Sequence, residues 1–374
     1  MKKLNKIHNK IGSEMKLFKI LFIISALILI IFSEGYSQNL PSENLFYLTS
    51  SNNSFESFKK NIDKISIIAP SAYYITENGS LWGSVNKRVL ELSAEHNVKV
   101  MPLIINIGEA SFDDKLIHAI LENESACKRA IEMMLDLAKK NNFYGWQFDI
   151  ENLNIADRDK FTKFYEKTAK ALHQEGFKLS AAVVHQIATT PGHNAYHNFL
   201  FEDWRAGYDL KAMAEAGDFI SIMTYDQHTR RTPPGPVSGF RWAESVIKFF
   251  IEQGVPASKI SLGIPSYSVF WFPDYNSEKG GFVNARHLNY GEAIGLTERY
   301  DTELKWLETQ GCYYTYWEND GVFEYLFLED ANSFEAKLKL LSKYNLRGIS
   351  VWRTGSEDPA IWDVIEKKLT TIKR

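Results

Sequence analysis

From Leu45 to the C-terminus, short apolar runs alternate with longer stretches whose apolar residues recur at three- and four-residue steps. The short runs are Leu45–Thr49, Ile65–Pro70 (continuing into Ser71–Ile75), Lys99–Asn106, Tyr144–Asn152, Lys178–Val184, Phe219–Asp226, Lys259–Tyr267 and Arg347–Thr354. Most are apolar and rich in β-branched residues, the pattern of parallel strands covered on both faces. The stretches between them predict helices at Asn53–Ile62, Asn86–Glu95, Lys115–Ile120, Ser125–Asn141, Asp157–Glu175, Leu210–Glu215, Trp242–Gln253, Phe334–Tyr344 and Pro359–Ile372. Asn78–Trp82 reads as a turn or short hairpin, and His185–Gly207 as a long loop. From Val269 to about Asp330 the texture changes to clustered aromatics, Gly280-Gly281 and short alternating runs such as Cys312–Trp317 and Phe323–Leu328. Strands and helices in this order predict an α/β protein, a (β/α)8 TIM barrel with a small α+β insertion between strands 7 and 8. An open doubly wound sheet would carry a Gly-rich phosphate loop after its first strand, and the sequence has none there.

One run breaks the apolar pattern. In Tyr144–Asn152, YGWQFDIEN, a strand places Gln147, Asp149 and Glu151 on one face and Trp146, Phe148 and Ile150 on the other. Flanked by helices, both faces are expected to be covered, so two carboxylates and an amide point into an interior where an unpaired charge is costly. The acids could cap a helix or pair with an Arg. The barrel offers them a use, because sites in this fold form at the C-terminal ends of the strands. Asp149 and Glu151 close the fourth strand, His185 follows the fifth, Tyr225 and Asp226 close the sixth, Tyr267 closes the seventh and Trp352 lies near the end of the eighth. Polar and aromatic residues at neighbouring strand ends predict a cleft there. His185 reads as cleft wall rather than base, while Tyr225 and Trp352 would also suit a barrel core.

The first 38 residues differ from the rest. Leu17–Phe32 is almost wholly apolar, Lys10, Lys16 and Lys19 precede or open it, and Gly35-Tyr36-Ser37-Gln38 follows. That is the plan of a secretory signal peptide over residues 1–38, leaving 39–374 as an exported domain in the periplasm or outside the cell. The apolar run is shorter than the ~20 residues of a usual span, so no stable membrane association is expected after cleavage. An uncleaved anchor is the alternative. A net charge of −3 without a basic block argues against a nucleic-acid partner. Aromatic residues make up 14% of the chain, which suits stacking against flat ligands such as sugar rings. Cys127 and Cys312 are the only cysteines, and whether they pair is open. No Cys/His cluster has metal-ligand spacing, and a monomer is expected.

The fourth strand resembles the signature of glycoside hydrolase family 18, the chitinase family, in which a Gly is followed by Asp, Asp and Glu at alternate positions. Gly145, Gln147, Asp149 and Glu151 occupy those places. Met223-Thr224-Tyr225-Asp226 resembles the family's Met-x-Tyr-Asp, and Gly348–Trp352 its closing strand with the floor Trp. The stretches MTYDQH…PGPVSG, KISLGIPSYSVFW, FEYLFLEDANSFEAKLKL and LRGISVWRTGSEDPAIW resemble the branch that includes bacterial spore-cortex-lytic N-acetylglucosaminidases. The resemblance spans nearly all of the chain after the signal. Two positions depart from it: Tyr144 stands where the signature usually opens with Asp, and Gln147 where chitinases carry a second Asp.

The resemblance implies a hydrolase of β-1,4-linked N-acetylglucosamine glycans, chitin-type or peptidoglycan, acting with retention through the substrate's own 2-acetamido group. It also implies neither metal nor organic cofactor. Glu151 would be the general acid/base, its pKa raised by burial and by Asp149. Asp149 would orient the acetamido N–H, Tyr225 would donate to the acetamido oxygen, and Trp352 would floor the sugar. Gln147 would hold Asp149 through a hydrogen bond, and an amide there cannot take up a proton. His185, Asp226 and Tyr267 are expected to complete the substrate contacts. The alternative is a weak or silent chitinase-like carbohydrate-binding protein. Silent relatives usually lose the acid, which this chain keeps.

Overall fold

The structure is a computed structural model that describes residues 39–109, 111–273 and 283–373. The expected signal peptide and Gly280-Gly281 lie outside the described residues. Met1–Leu40 and Pro41–Arg374 are separate units, and the cleft predicted at the strand ends lies in the second.

The strands that carry the site are β1 (Leu40–Leu48), β2 (Ile67–Pro70), β3 (Tyr73–Ile75), β4 (Leu81–Gly83), β5 (Lys99–Val100), β6 (Leu103–Ile105), β7 (Gly145–Asp149), β8 (Lys178–Val184), β9 (Phe219–Met223) and β10 (Ile260–Pro265). Then come β11 (Ser268–Pro273), β12 (Val283–Leu288), β13 (Lys305–Leu307), β14 (Cys312–Asn319), β15 (Val322–Leu328), β16 (Gly348–Trp352) and β17 (Leu369–Thr371). The large sheet runs β4-β3-β6-β7-β8-β9-β10-β16-β1-β2-β5. Apart from the β3–β4 hairpin, neighbouring strands along this path pair in parallel. Helices separate its strands in a curled, TIM-barrel-like α/β fold.

Two predicted strands are each divided. Ile65–Ile75 breaks at Ser71-Ala72 into β2 and β3, and Lys99–Asn106 breaks at Met101-Pro102 into β5 and β6. Proline has no N–H for the ladder at the second break. The predicted loop His185–Gly207 contains a helix, Ala195–Leu200, followed by a π-helical turn, Phe201–Arg205. The last predicted helix is confined to Ile361–Lys368. Beyond it Leu369 and two β-branched threonines form β17, whose edge meets β1: Ile372 N donates to Ser42 O at 2.9 Å and Asn44 Nδ2 to Thr371 Oγ1 at 3.0 Å. Cys127 and Cys312 are both free thiols. No helix among the described residues is long and apolar enough to cross a membrane.

β7 is fixed from outside by two helices. Glu124–Asn141 is capped by Asn123 and ends at the left-handed Asn142, and it buries Ala126, Ala130, Met134 and Ala138. Trp146 Nε1 donates to the Met134 carbonyl at 3.0 Å. Arg158–Gln174 buries Phe161, Phe164, Tyr165, Thr168, Ala169 and Leu172, and Phe148 packs against its first three aromatics. Each such side chain contributes about 1.5–3 kcal/mol by leaving water. Gly145 opens β7 where a Cβ would lie 2.0 Å from the Lys178 carbonyl, so any side chain there would push β8 away. With Trp146 and Phe148 committed outward, alternation turns Gln147 and Asp149 inward.

Between β10 and β16 the chain builds a second sheet, antiparallel, in the order β12-β11-β15-β14-β13. Phe270, Trp317, Leu326 and Leu328 on one of its faces pack with Ala293 of the helix Tyr290–Arg299.

Candidate active site

A cavity of about 250 Å³ opens at the C-terminal strand ends, lined by residues that include Asp149, Glu151, His185, Tyr225, Asp226 and Trp352. Six of the eight residues expected at the site therefore line one cavity. Gln147 and Tyr267 do not line it.

Asp149 is the last residue of β7, and Glu151 follows through Ile150. The path after the strand is clasped by two side chains. Asn106 donates through Nδ2 to the Glu151 carbonyl at 2.9 Å and accepts from the Glu151 N–H at 3.0 Å. Tyr208 donates its hydroxyl to the Ile150 carbonyl at 2.6 Å. β7 itself aims Asp149 into the cavity, and these clasps hold the segment that carries Glu151 beyond the strand end.

Their surroundings favour the protonated forms. Burial pushes Asp149 up to about 7, and no described residue donates a hydrogen bond to its carboxylate. Glu151 is held well above the usual carboxylate range by burial first, then by the charges of Asp149 and Asp226. An opposing contact comes from Trp204, whose Nε1–H donates to Glu151 Oε2 at 3.1 Å. Asp149 is buried and Glu151 half-buried, and the charge of each disfavours ionisation of the other.

The walls are fixed in turn. His185 is buried, and burial together with the neighbouring Arg205 guanidinium holds its imidazole well below the ordinary range. Its neutral ring accepts at Nε2 from Arg205 Nη2 at 2.6 Å and stands edge-on to Trp204 and Trp242. It forms part of the cavity wall. Tyr225 is buried, and its phenol is pushed up by that burial and then by surrounding phenolic and carboxylate groups, so it remains a hydroxyl donor. Asp226 sits in the left-handed region at φ 56°. Its carboxylate accepts from the Tyr267 hydroxyl and lies 3.6 Å from His287 Nε2. Trp352 packs against Tyr47 with ring centroids 5.3 Å apart.

Gln147 departs from expectation. Its amide does not hold Asp149; Nε2 donates to Ser180 Oγ and Ser221 Oγ, each at 3.0 Å. Ser350 continues the network to Ser221 at 2.7 Å and to Ser261 at 2.6 Å. The reason is geometric. Same-face neighbours on a strand are separated by roughly 6.6 Å, so Asp149 is one layer above Gln147 while the serine hydroxyls lie at its own level. Tyr267 likewise acts one step removed, through Asp226. Tyr267→Phe is expected to lower turnover by about tenfold or more, the scale of one hydrogen bond to a charged group, without unfolding the protein. Steady-state kinetics beside a thermal melt checks this, and unchanged kinetics would remove Tyr267 from the machinery.

Sequence reasoning assigned no role to Tyr47, Asn106, Phe112 or Trp204. Asn106 ends the third predicted strand, so the rule that found Asp149 applies to it equally. Tyr47 is inward by alternation in β1. Trp204 had no such signal, because it sits beyond the fifth strand in a segment whose local fold the pattern did not reveal. A His118, Glu122 and Asp157 cluster outside this cavity brings ligand-type atoms within 4.8 Å of one another. Lys160 already partners it, bonded to Glu122 and 3.8 Å from Asp157.

A paired-acid site at the strand ends of a barrel-like α/β fold, with an aromatic floor, has the parts of a glycosidase. Residues 34–357 match glycosyl hydrolases family 18. The chain belongs to that family and is a glycosidase of it. It is 25% identical over 345 residues to the "Uncharacterized glycosylase YvbX" of Bacillus subtilis (strain 168), covering 91% of this chain and 95% of that protein. It is also 25% identical to the "Cortical fragment-lytic enzyme" of the same organism, covering 81% of this chain and 68% of that one. Among solved structures, the Bacillus megaterium QM B1551 spore cortex-lytic enzyme SleL superposes with a TM-score of 0.80 at 24% identity, covering 90% of this chain and 76% of that one. A chitinase from Chromobacterium violaceum ATCC 12472 gives 0.77 at 24% identity, covering 87% and 98%.

Proposed function

We propose that this protein is an exported hydrolase of β-1,4-linked N-acetylglucosamine glycans, chitin-type or peptidoglycan, acting with retention through the substrate's 2-acetamido group. The observation that carries this reading is that Asp149 and Glu151 line one cavity with Tyr225 and Trp352. The neighbouring strand pairings support a closed (β/α)8 barrel, with about Val269–Asp330 as an α+β insertion beside the cleft. Residues 1–38 are read as the export signal.

Glu151 gives its proton to the leaving oxygen. Asp149 orients the acetamido N–H, and its negative charge stabilises the cation formed when the acetamido oxygen closes on the anomeric carbon. Tyr225 donates to that oxygen. Trp352 supplies the apolar floor, while His185 and Asp226 bound the sugar. Glu151, now ionised, takes a proton from the incoming water, and the product keeps its configuration. Gln147 supports the floor through its serine partners rather than through Asp149.

The test compares N-acetylated with de-N-acetylated oligosaccharides of the same length, and chitooligosaccharides with peptidoglycan fragments. Cleavage of the N-acetylated substrate alone is expected. Equal cleavage of the de-N-acetylated one would remove the substrate-assisted step. Binding without turnover would favour the carbohydrate-binding alternative.

A further inference from the structure

We propose that Trp204 is a positioning residue for Glu151: its indole N–H fixes the carboxyl in the cavity and stabilises its ionised form. This rests on the reading of Glu151 as the acid/base. The contact is direct, with Nε1 3.1 Å from Oε2, and Trp204 lines the same cavity.

The indole is held by a built support. Trp204 belongs to the π-helical turn Phe201–Arg205, a geometry that is rare in proteins and frequent at functional sites. Residues on both sides of Trp204 tie the turn to the barrel. Asp203 accepts from Asn154 Nδ2 at 2.6 Å, Arg205 Nη2 donates to His185 Nε2 at 2.6 Å, and the Arg205 carbonyl accepts from Gln186 Nε2. The His185 ring stands edge-on to the indole at 5.4 Å, and the Arg205 guanidinium lies 5.6 Å from its ring centre. Asn154 follows Glu151 by three residues, so the same strap holds the segment carrying the acid.

The chemistry supplies a need for such a donor. Glu151 must be protonated for the first half of the reaction and ionised for the second. Asp149 on β7 and Asp226 beyond β9 disfavour the ionised form, as does burial. Tyr225 faces the same cavity as a neutral phenol, the neutral phenol of Tyr208 is bonded to the Ile150 carbonyl, His185 is neutral, and the Arg205 cation is directed to His185. Among the described residues, Trp204 alone donates a hydrogen bond to the Glu151 carboxylate. Such a bond favours the carboxylate over the acid.

The experiment measures the pH dependence of kcat/KM for wild type, Trp204→Phe and Trp204→His on a chitooligosaccharide, with Glu151→Gln as control. Trp204→Phe keeps a ring but loses the donor. Its alkaline limb is expected to move up by about one pH unit, the scale of one hydrogen bond to a charged group. Trp204→His keeps a ring N–H and is expected to stay nearer the wild-type limb. A ¹³C titration of the Glu151 carboxyl in the ligand-free full chain reads the same shift without turnover. If Glu151→Gln is inactive while neither the limb nor the titration moves in Trp204→Phe, the Trp204 proposal fails and the acid/base reading stands. If Glu151→Gln is as active as wild type, the acid/base reading fails and takes this proposal with it. Should Trp204→Phe not fold, the titration of Trp204→Met, which also lacks the donor, decides in the same way.

Discussion

Replacing Glu151 with Gln is expected to lower turnover of a chitooligosaccharide by about 10²–10⁴-fold, the range of a positioned general acid/base. The substitution changes little else. Gln has the same length and an oxygen that can accept from Trp204 Nε1, and the bonds that place residue 151 run from Asn106 to its backbone. The cavity and the floor at Trp352 should therefore persist, with KM altered far less than kcat. What disappears is a carboxyl proton that burial and the charge of Asp149 favour. Glycosides whose leaving group departs without protonation should lose less than natural oligosaccharides, because the first half of the reaction no longer needs the acid. Initial rates on both substrate types, beside a thermal melt, check this. Equal rates in wild type and variant would end the assignment of Glu151.

The polar face of Tyr144–Asn152 was legible because strands alternate, and two acids on the inward face of a covered strand contradict hydrophobic patterning. The strand-end rule then collected His185, Tyr225, Asp226 and Trp352 from separate runs, and the structure brings them to one cavity with Asp149 and Glu151. Contacts across the barrel were not legible. Spacing along one strand puts Asp149 a layer above Gln147, but that Gln147 meets Ser180 and Ser221 depends on which layer each neighbouring strand presents, which is set by pairing register. Trp204 stayed hidden because a π-helical turn has no periodic signal. The C-terminal error is of another kind: the helix pattern ran on through Leu369–Thr371, where pairing with β1 outweighs local propensity.

Asp149→Asn separates the chemistry of the site from its cost to the fold. Asp149 is pushed up to about 7 by burial, against an ordinary value near ~3.9. A folded-state pKa above the unfolded one means that the group favours the folded protein relatively most at low pH, when it is protonated in both states. That advantage is lost progressively as pH rises from about 4 through about 7, where the unfolded chain ionises and the buried carboxyl resists. The amide carries no charge at any pH. Wild type and variant should therefore unfold at similar temperatures near pH 4, and the variant should become the more stable by the order of a few kcal/mol by pH 8. Activity should move the other way. The amide oxygen can still accept from the acetamido N–H, but it carries no charge to offset the developing positive charge, and a loss of about 10²–10³-fold is expected. The charge of Asp149 also helps keep Glu151 protonated, so the alkaline limb of any residual activity should move to lower pH. Thermal unfolding from pH 4 to pH 8, paired with pH–rate profiles, measures all three effects. A variant that is less stable than wild type at pH 8, or one that retains full turnover, would contradict the assignment of Asp149 as a buried carboxylate kept for catalysis.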